Sequence, residues 1–76
     1  MKNFIAYIVK ALVDHPERVQ IAEIAGRTNI IIEVRCHAED MGRIIGKNGK
    51  TISAMRMLLA GLAAKHKRKA VLEVVE

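Results

Sequence analysis

The sequence predicts an α+β fold in which a three-stranded sheet packs against three helices, in the chain order α-β-β-α-α-β. Apolar residues recur at helical intervals in two segments, residues 2–14 and 52–66. Apolar and polar residues alternate over residues 30–36, as they do in a strand with one buried face. The chain has 76 residues, 51% hydrophobic and 28% charged, which suits one globular core, so residues 1–76 are interpreted as a single domain.

The first helix is predicted over residues 2–14. Its apolar stripe comprises Phe4, Ile5, Ile8, Val9, Leu12 and Val13. Pro16 ends the helix, because the residue before a proline is disfavoured in the helical region. The two aromatic residues of the chain, Phe4 and Tyr7, both lie here, and we expect them to pack rather than to bind a ligand.

Two strands joined by a tight connection are predicted next. The first begins at residues 19–21, and the second, Ile30–Cys36, alternates more clearly. Gly26 and Asn29 bracket the turn between them. Cys36 falls in phase with the buried positions of the second strand, so we expect a small core residue rather than a nucleophile.

The second half of the chain is predicted to contain two helices and a closing strand. A short helix over residues 37–45 has acids in its first turn, where they oppose the positive end of the helix, and it ends at Gly46. A longer helix runs to about His66, and the residues expected to pack are Ile52, Met55, Met57, Leu58, Leu59, Leu62 and Ala63. A basic hinge, Lys65–Lys69, then leads to a strand over residues 70–75.

The sequence gives no sign of a metal or a cofactor. There is one cysteine, so no internal disulfide can form, and His15, His37 and His66 are scattered along the chain. A chain without disulfides fits the reducing cytosol, so we expect a cytoplasmic protein. The apolar N-terminal stretch is interrupted by Lys10 and is interpreted as a helix of the folded domain rather than a signal peptide. No run approaches about 18 apolar residues, so we expect no membrane association.

Positive charge is concentrated in one part of the chain. The formal net charge is +5, but residues 41–70 hold eight Lys and Arg residues and no acid, whereas residues 1–40 hold five against six acids. A basic face can simply be solvated. A surplus confined to one segment is more typical of a surface that binds a polyanion.

The centre of this basic segment is a glycine-rich turn, residues 46–49, with the sequence Gly-Lys-Asn-Gly. A nucleotide-binding P-loop ending at Gly49-Lys50-Thr51 would need a glycine where Ile44 stands, and a dinucleotide fingerprint fails at the same residue. The turn also follows a predicted helix, whereas both motifs follow a strand. We therefore expect no nucleotide hydrolysis and no enzymatic activity.

The turn could be only a helix-to-helix connection, with its glycines serving as a cap and a tight bend. That interpretation does not explain why Arg43, Lys47 and Lys50 crowd the turn, where like charges repel one another. Glycines let another backbone approach closely, and amides at the start of the next helix direct partial positive charge toward phosphate oxygens. A sugar-phosphate backbone is therefore the favoured ligand.

The stretch IIGKNGKTI, residues 44–52, resembles the signature of the KH domain, an apolar pair followed by Gly-x-x-Gly and a further apolar residue between two helices. The element order resembles the type II topology of that family. The leading helix and the chain length resemble the single-domain bacterial KhpA family across essentially the whole chain. The loop of a KH domain clamps about four backbone nucleotides.

The resemblance implies single-stranded RNA as the ligand, with no metal or other cofactor. The residues that would contact or line the bound strand are Gly46, Lys47, Asn48, Gly49, Arg43, Ile45, Lys50, Ile52, Ile32 and Arg27. The loop residues would hold the backbone, and Ile45 and Ile52 would support the loop and line a groove. Ile32 would belong to the opposite wall, and Arg27 would be an outer contact. RNA-binding modules that read bases by stacking are disfavoured, because they need exposed aromatic rings.

A site for four nucleotides should bind with micromolar affinity, so a second site would be useful. The resemblance likewise implies a homodimer, or a pairing with a larger KH protein of the Jag type, acting as an RNA chaperone linked to cell-wall growth and cell shape. Two alternatives remain open. One is a protein-interaction module with no RNA role, and the other is binding of double-stranded DNA through the two central helices.

Overall fold

The computed structural model describes residues 1–75. The elements are α1 (Lys2–Leu12), β1 (Gln20–Ala25), β2 (Asn29–Arg35), α2 (Met41–Ile45), α3 (Lys50–Lys65) and β3 (Lys69–Val75). Single 3₁₀ turns occupy Pro16–Arg18, Ala38–Asp40 and Lys47–Gly49. The predicted α+β class, with three helices and a three-stranded sheet in this order, is confirmed.

Strand β2 is the centre of the sheet, whose order is β1-β2-β3. It pairs antiparallel with β1, where Glu23 faces Ile32, and parallel with β3, where Ile32 faces Leu72. The parallel pairing requires a crossover, and α2, the glycine loop and α3 supply it. The mixed sheet and the helical crossover are consistent with a type II KH fold.

The core lies between the helices and one face of the sheet. Its fully buried side chains include Ile5 and Val9 of α1, Ile32 and Val34 of β2, Ile44 of α2 and Leu59 of α3. Cys36 is buried among them, as its phase in β2 predicts, and its Sγ contacts the Sδ of Met41 at 3.4 Å. Because successive residues of β2 point to opposite faces, Ile31 and Glu33 belong to the face opposite the three described helices.

Several element boundaries differ from the prediction. Helix α1 ends at Leu12 because Val13 is already extended (φ −97°, ψ 160°), and Pro16 begins a separate 3₁₀ turn. Strand β1 continues to Ala25, since its pairing with β2 rather than burial of its own side chains defines it. The single helix predicted over residues 37–45 is a 3₁₀ turn followed by the five-residue α2.

Five side chains predicted to pack are instead exposed: Tyr7 at 78%, Met57 at 76%, Leu58 at 53%, Phe4 at 39% and Leu62 at 37%. Met57 lies two residues before the buried Leu59, which places it about 200° around α3 from the core. Helix α3 has more apolar side chains than its buried face can accommodate. Apolar surface is therefore left on one flank of the helix.

Asp40 does not act on its own helix as the sequence predicts. Its buried carboxylate accepts hydrogen bonds from the backbone amides of Asp14 at 3.1 Å and His15 at 3.0 Å. Burial by itself raises the pKa of Asp40, but these two amide donors and the neighbouring His15 and His37 outweigh it, so that the pKa is lowered. Asp40 thus fixes the segment after α1 to the start of α2.

The same contacts overturn the expectation that the histidines are scattered. The rings of His15 and His37 lie with their centroids 4.5 Å apart, beside Glu39. Sequence separation hid this pairing, because it depends on how α1 docks beside α2 rather than on any local pattern. His37 also caps the 3₁₀ turn, accepting a hydrogen bond from the amide of Glu39 at 3.1 Å.

Candidate nucleic-acid interface

The loop between α2 and α3 has a backbone that few residue types can adopt. Gly46 (φ 78°, ψ 172°) and Gly49 (φ 72°, ψ 14°) both have positive φ. Asn48 also lies in the left-handed region, at φ 57°. Asparagine is among the few non-glycine residues that tolerate that region, so the Gly-Lys-Asn-Gly sequence fits its own turn.

Gly46 is required for a second, steric reason. A Cβ atom at position 46 would lie 2.8 Å from the backbone nitrogen of Thr51 and closer still to the Thr51 side chain. Gly49 differs, since a Cβ atom there would have no neighbour among the described residues within 4 Å. The first glycine lets the two helices meet, and the second leaves open space in front of the loop.

Hydrogen bonds within the loop hold its shape. The amide of Gly46 donates to the carbonyl of Gly42 at 2.8 Å, and the amide of Gly49 donates to the carbonyl of Gly46 at 3.1 Å. The amide of Lys50 donates to the carbonyl of Lys47. These amides are therefore not available to a ligand, and the loop is preorganised rather than loose.

The outer surface of the loop is accessible. Lys47, Asn48 and Lys50 are exposed, while Gly46 and Gly49 are half-buried. In the described chain, no side chain caps the amino end of α3, where a helix has amides without internal acceptors. The amides of Gly49 and Lys50 already donate to loop carbonyls, so an anion in front of the loop would meet the positive end of the α3 dipole together with the charges of the two lysines.

The cations around the loop are not equivalent. Arg43 forms an ion pair with Asp14, with Nη2 at 3.1 Å from Oδ2. Among residues 1–75, neither Lys47 nor Lys50 has a carboxylate partner. The two lysines therefore carry the uncompensated charge, while Arg43 links α2 to the segment after α1.

The isoleucines beside the loop serve different purposes. Ile44 is fully buried and Ile52 nearly so, which anchors both ends of the loop in the core. Ile45 is 37% exposed and is the one of the three available to contact a base. That Ile52 supports the loop for RNA binding stays a prediction.

Ile32 lies where it cannot contact a ligand. Its side chain is 0% exposed, and β2 has a hydrogen-bonded strand on each side. Its main-chain groups are thus within the sheet, so the wall expected from the sequence does not exist at this residue. Strands β1 and β3 are the two edges of the sheet, and β3 is the edge that packs beside α3 and the glycine loop leading into it.

Sequence reasoning missed Arg56, which connects α3 with β3. Its Nη2 donates a hydrogen bond to the carbonyl oxygen of Leu72 at 3.3 Å, and the residue is exposed. Arg56 lies between the buried Ile52 and Leu59 at helical spacing, so it flanks the buried stripe on the side of β3. In the sequence, the signal that could have identified Arg56 was a basic residue beside the apolar stripe of a predicted helix.

Arg27 lies at the far end of the molecule. The amide of Lys69 donates to the carbonyl of Thr28 at 2.8 Å, which places the turn between β1 and β2 beside the start of β3. Helix α3, with 16 residues, spans about 24 Å between that end and the loop. Arg27 therefore neighbours the basic segment Lys65–Lys69, and the structure does not bring it to the glycine loop.

Among residues 1–75, no helix is both long enough and apolar enough to cross a membrane.

The chain is similar to a family of KH domains and to several named proteins. The family model described as "KhpA/KhpB, KH domain" matches residues 2–74. Proteins named RNA-binding protein KhpA are similar over the full length: that of Chlamydia caviae is 49% identical over 100% of this chain and 97% of its own. Those of Caldanaerobacter subterraneus (41%, covering 99% of this chain and 100% of its own) and Halalkalibacterium halodurans (38%, 100% of both) are further examples. No solved structure matches the chain significantly.

Proposed function

The chain belongs to the family of KhpA and KhpB KH domains, and from this premise we propose that it binds single-stranded RNA without catalysing a reaction. The relatives carry the name of RNA-binding proteins, not of enzymes. The observation that carries the proposal is the exposed loop of Lys47 and Asn48, held between two positive-φ glycines at the amino end of α3.

The phosphates of the RNA lie against this loop. Gly49 leaves room for the ribose-phosphate backbone, and Lys47 and Lys50 supply charge that no carboxylate of the described chain compensates. With two or three phosphates neutralised, electrostatic attraction is a large part of the affinity. Arg43 contributes less, because Asp14 already pairs with it.

The bases lie along α3 toward the edge of β3. Ile45 offers apolar surface next to the loop, and Arg56 extends the positive surface along the helix. Ile52 is buried in the core beneath the loop and supports this surface without being exposed itself. Ile32 takes no part, and Arg27 would contact only an RNA long enough to reach the opposite end of the molecule.

Self-association of two chains is part of the proposal, and the apolar groove between α1 and α3 supports it. The groove has a volume of 580 Å³ and is lined by Met1, Phe4, Met57, Leu58, Gly61, Leu62, Lys65 and His66. Exposed apolar side chains on adjacent elements are typical of an interface. A homodimer would join two weak RNA sites and raise their effective concentration.

A larger KH protein of the Jag type is the second candidate for this groove, since the matching family model covers both KhpA and KhpB. An RNA-chaperone role in the cytoplasm, linked to cell-wall growth and cell shape, rests on the family resemblance alone.

The test replaces the loop residues and leaves the glycines in place. We expect the double variant Lys47→Asp/Asn48→Asp to bind a short unpaired RNA at least about tenfold more weakly in fluorescence polarisation, because it places two acids where phosphates bind. The double variant Lys10→Asp/Asn3→Asp on α1 makes the same residue changes on an exposed surface away from the loop and should bind normally.

Unchanged binding by the loop variant would refute the RNA site and favour the interaction module. Competition by duplex DNA as strong as that by unpaired RNA would favour the duplex alternative. Circular dichroism of both variants establishes that a loss of binding is not a loss of fold.

A further inference from the structure

Outside the RNA site, the fold assembles a group of potential metal ligands. His15 lies between α1 and the Pro16–Arg18 turn, and His37 and Glu39 lie at the 3₁₀ turn before α2. One ligand atom from each of the three residues lies within 4.8 Å of the others. In particular, His15 Nε2 is 3.9 Å from Glu39 Oε2.

We propose that His15, His37 and Glu39 form a binding site for a divalent transition-metal ion of the Zn²⁺ class. Imidazole nitrogen combined with a carboxylate is a donor set that zinc and neighbouring first-row metals accept, whereas Mg²⁺ and Ca²⁺ prefer oxygen alone. Three protein ligands leave a fourth position of a tetrahedral ion to water.

The spacing is close to what coordination needs. Zinc binds histidine nitrogen and carboxylate oxygen at about 2.0–2.2 Å, so ligands of one tetrahedral ion are about 3.4 Å apart. The three ligand atoms lie within 4.8 Å of one another, so they need to approach by at most about 1.4 Å, a distance within reach of side-chain rotation. Glu39 is 78% exposed and free to turn, whereas the half-buried rings of His15 and His37 lie against each other.

The backbone segments that carry the two histidines are held together before any ion arrives. Asp40 accepts hydrogen bonds from the backbone amides of Asp14 and His15, which ties the His15 segment to the turn that carries His37. The Nδ1 atom of His37 accepts a hydrogen bond from the amide of Glu39. An ion that binds Nδ1 would replace this hydrogen bond. Preorganisation of this kind reduces the entropy lost on binding.

A further carboxylate lies where an outer-shell partner is expected. Glu17 Oε1 is 3.7 Å from His15 Nδ1, so Glu17 can orient this ring while Nε2 faces Glu39. Metal-ligating histidines usually have such a partner on their other nitrogen. Together with Asp40, Glu17 also makes this corner negative in a chain whose net charge is +5.

The ion would join two segments that are distant in sequence. It would clamp the chain after α1 to the turn that begins α2, and α2 leads within five residues to the glycine loop. Metal binding would therefore stabilise the folded domain and hold the helix on which the loop is mounted.

The test is calorimetric titration of the full chain, without an affinity tag, with ZnCl₂. We expect one ion per chain with micromolar affinity and a higher melting temperature in its presence. His37→Ala should weaken binding at least about tenfold, and Glu39→Gln should weaken it severalfold. His66→Ala removes the third histidine, on the turn after α3, and should bind as the unaltered chain does.

Two further measurements make the result decisive. CoCl₂ in place of zinc should give the visible absorption of four-coordinate cobalt, and MgCl₂ should give no binding. The proposal is overturned if zinc binding survives both His37→Ala and Glu39→Gln, if His66→Ala abolishes it, or if no stoichiometric binding occurs. Glu39 is exposed, so its variant tests the site even if the histidine variant does not fold.

Discussion

Arg56 donates a hydrogen bond from Nη2 to the carbonyl oxygen of Leu72 at 3.3 Å, which joins the middle of α3 to the backbone of β3. The residue is nonetheless exposed. If RNA lies along this surface, we expect Arg56→Ala to weaken binding about three- to tenfold, the value of one hydrogen bond or phosphate contact. Fluorescence polarisation measures the loss. Arg18→Ala, on the exposed Pro16–Arg18 turn, is the control, and an equal loss in both variants would contradict a role specific to Arg56.

Salt should weaken RNA binding in a defined way. Two or three phosphate contacts at about −0.7 each predict that log K falls against log salt with a slope of about −1.5 to −2. Lys47→Ala should make the slope shallower by about 0.7, because one contact is lost. Titrations at a series of KCl concentrations measure both slopes. A slope near zero would show that phosphates are not the main contacts.

The glycines should differ in how they tolerate alanine. Gly46→Ala combines a strained backbone with a collision against Thr51, so we expect a loss of about 2–5 kcal/mol of unfolding free energy. Gly49→Ala meets no neighbour in the described part of the chain, so we expect a loss of only about 1–2 kcal/mol, from the positive φ of Gly49.

Gly61→Ala is the matched control for this series. Gly61 lies inside α3 without a positive φ, and none of the described residues 1–75 lies within 4 Å of a Cβ atom there, so alanine should stabilise the chain by up to about 1 kcal/mol. Urea unfolding followed by circular dichroism gives the three values. The steric explanation would fail if Gly46→Ala were no more damaging than Gly49→Ala.

Replacing Asp40 tests the link between α1 and α2. The two carboxylate oxygens of Asp40 accept hydrogen bonds from the amides of Asp14 and His15, and Asp40→Asn keeps only one of these oxygens. The substitution also removes the negative charge that the two amides stabilise. We expect the melting temperature, measured in EDTA, to fall by at least about 5 °C. Glu39→Gln, an exposed neighbour, should melt within about 2 °C of the unaltered chain.

The apolar groove between α1 and α3 should control self-association. Leu58→Lys puts a charge on an exposed position that lines the groove, so it should shift the chain to a monomer without unfolding it. Ala60 is also exposed but lies about 200° around α3 from Leu58, so Ala60→Lys should leave self-association unchanged. Sedimentation velocity distinguishes the two states. A dimer that persists in Leu58→Lys would place the interface elsewhere.

Local patterns in the sequence were sufficient for several parts of this protein. Alternation over residues 30–36 identified β2 and the burial of Cys36, because side chains of a strand alternate between faces. The glycine spacing identified the loop, since only particular residues accept a positive φ. Helical periodicity did not show that Met57 and Leu58 stay exposed, because it cannot reveal how much of a helix the sheet covers.

The sequence alone determined the order of elements, the segregation of charge and the Gly-Lys-Asn-Gly turn, since each follows from residues close together in the chain. Only the tertiary structure decided which strand is central, and the central position of β2 excludes Ile32 as a contact. The tertiary structure also decided which residues meet across the fold. Arg56 beside Leu72 and His15 beside His37 are such meetings. Strand pairing and helix docking join segments far apart in sequence, and the free energy that fixes them comes from burying the whole core rather than from any local pattern.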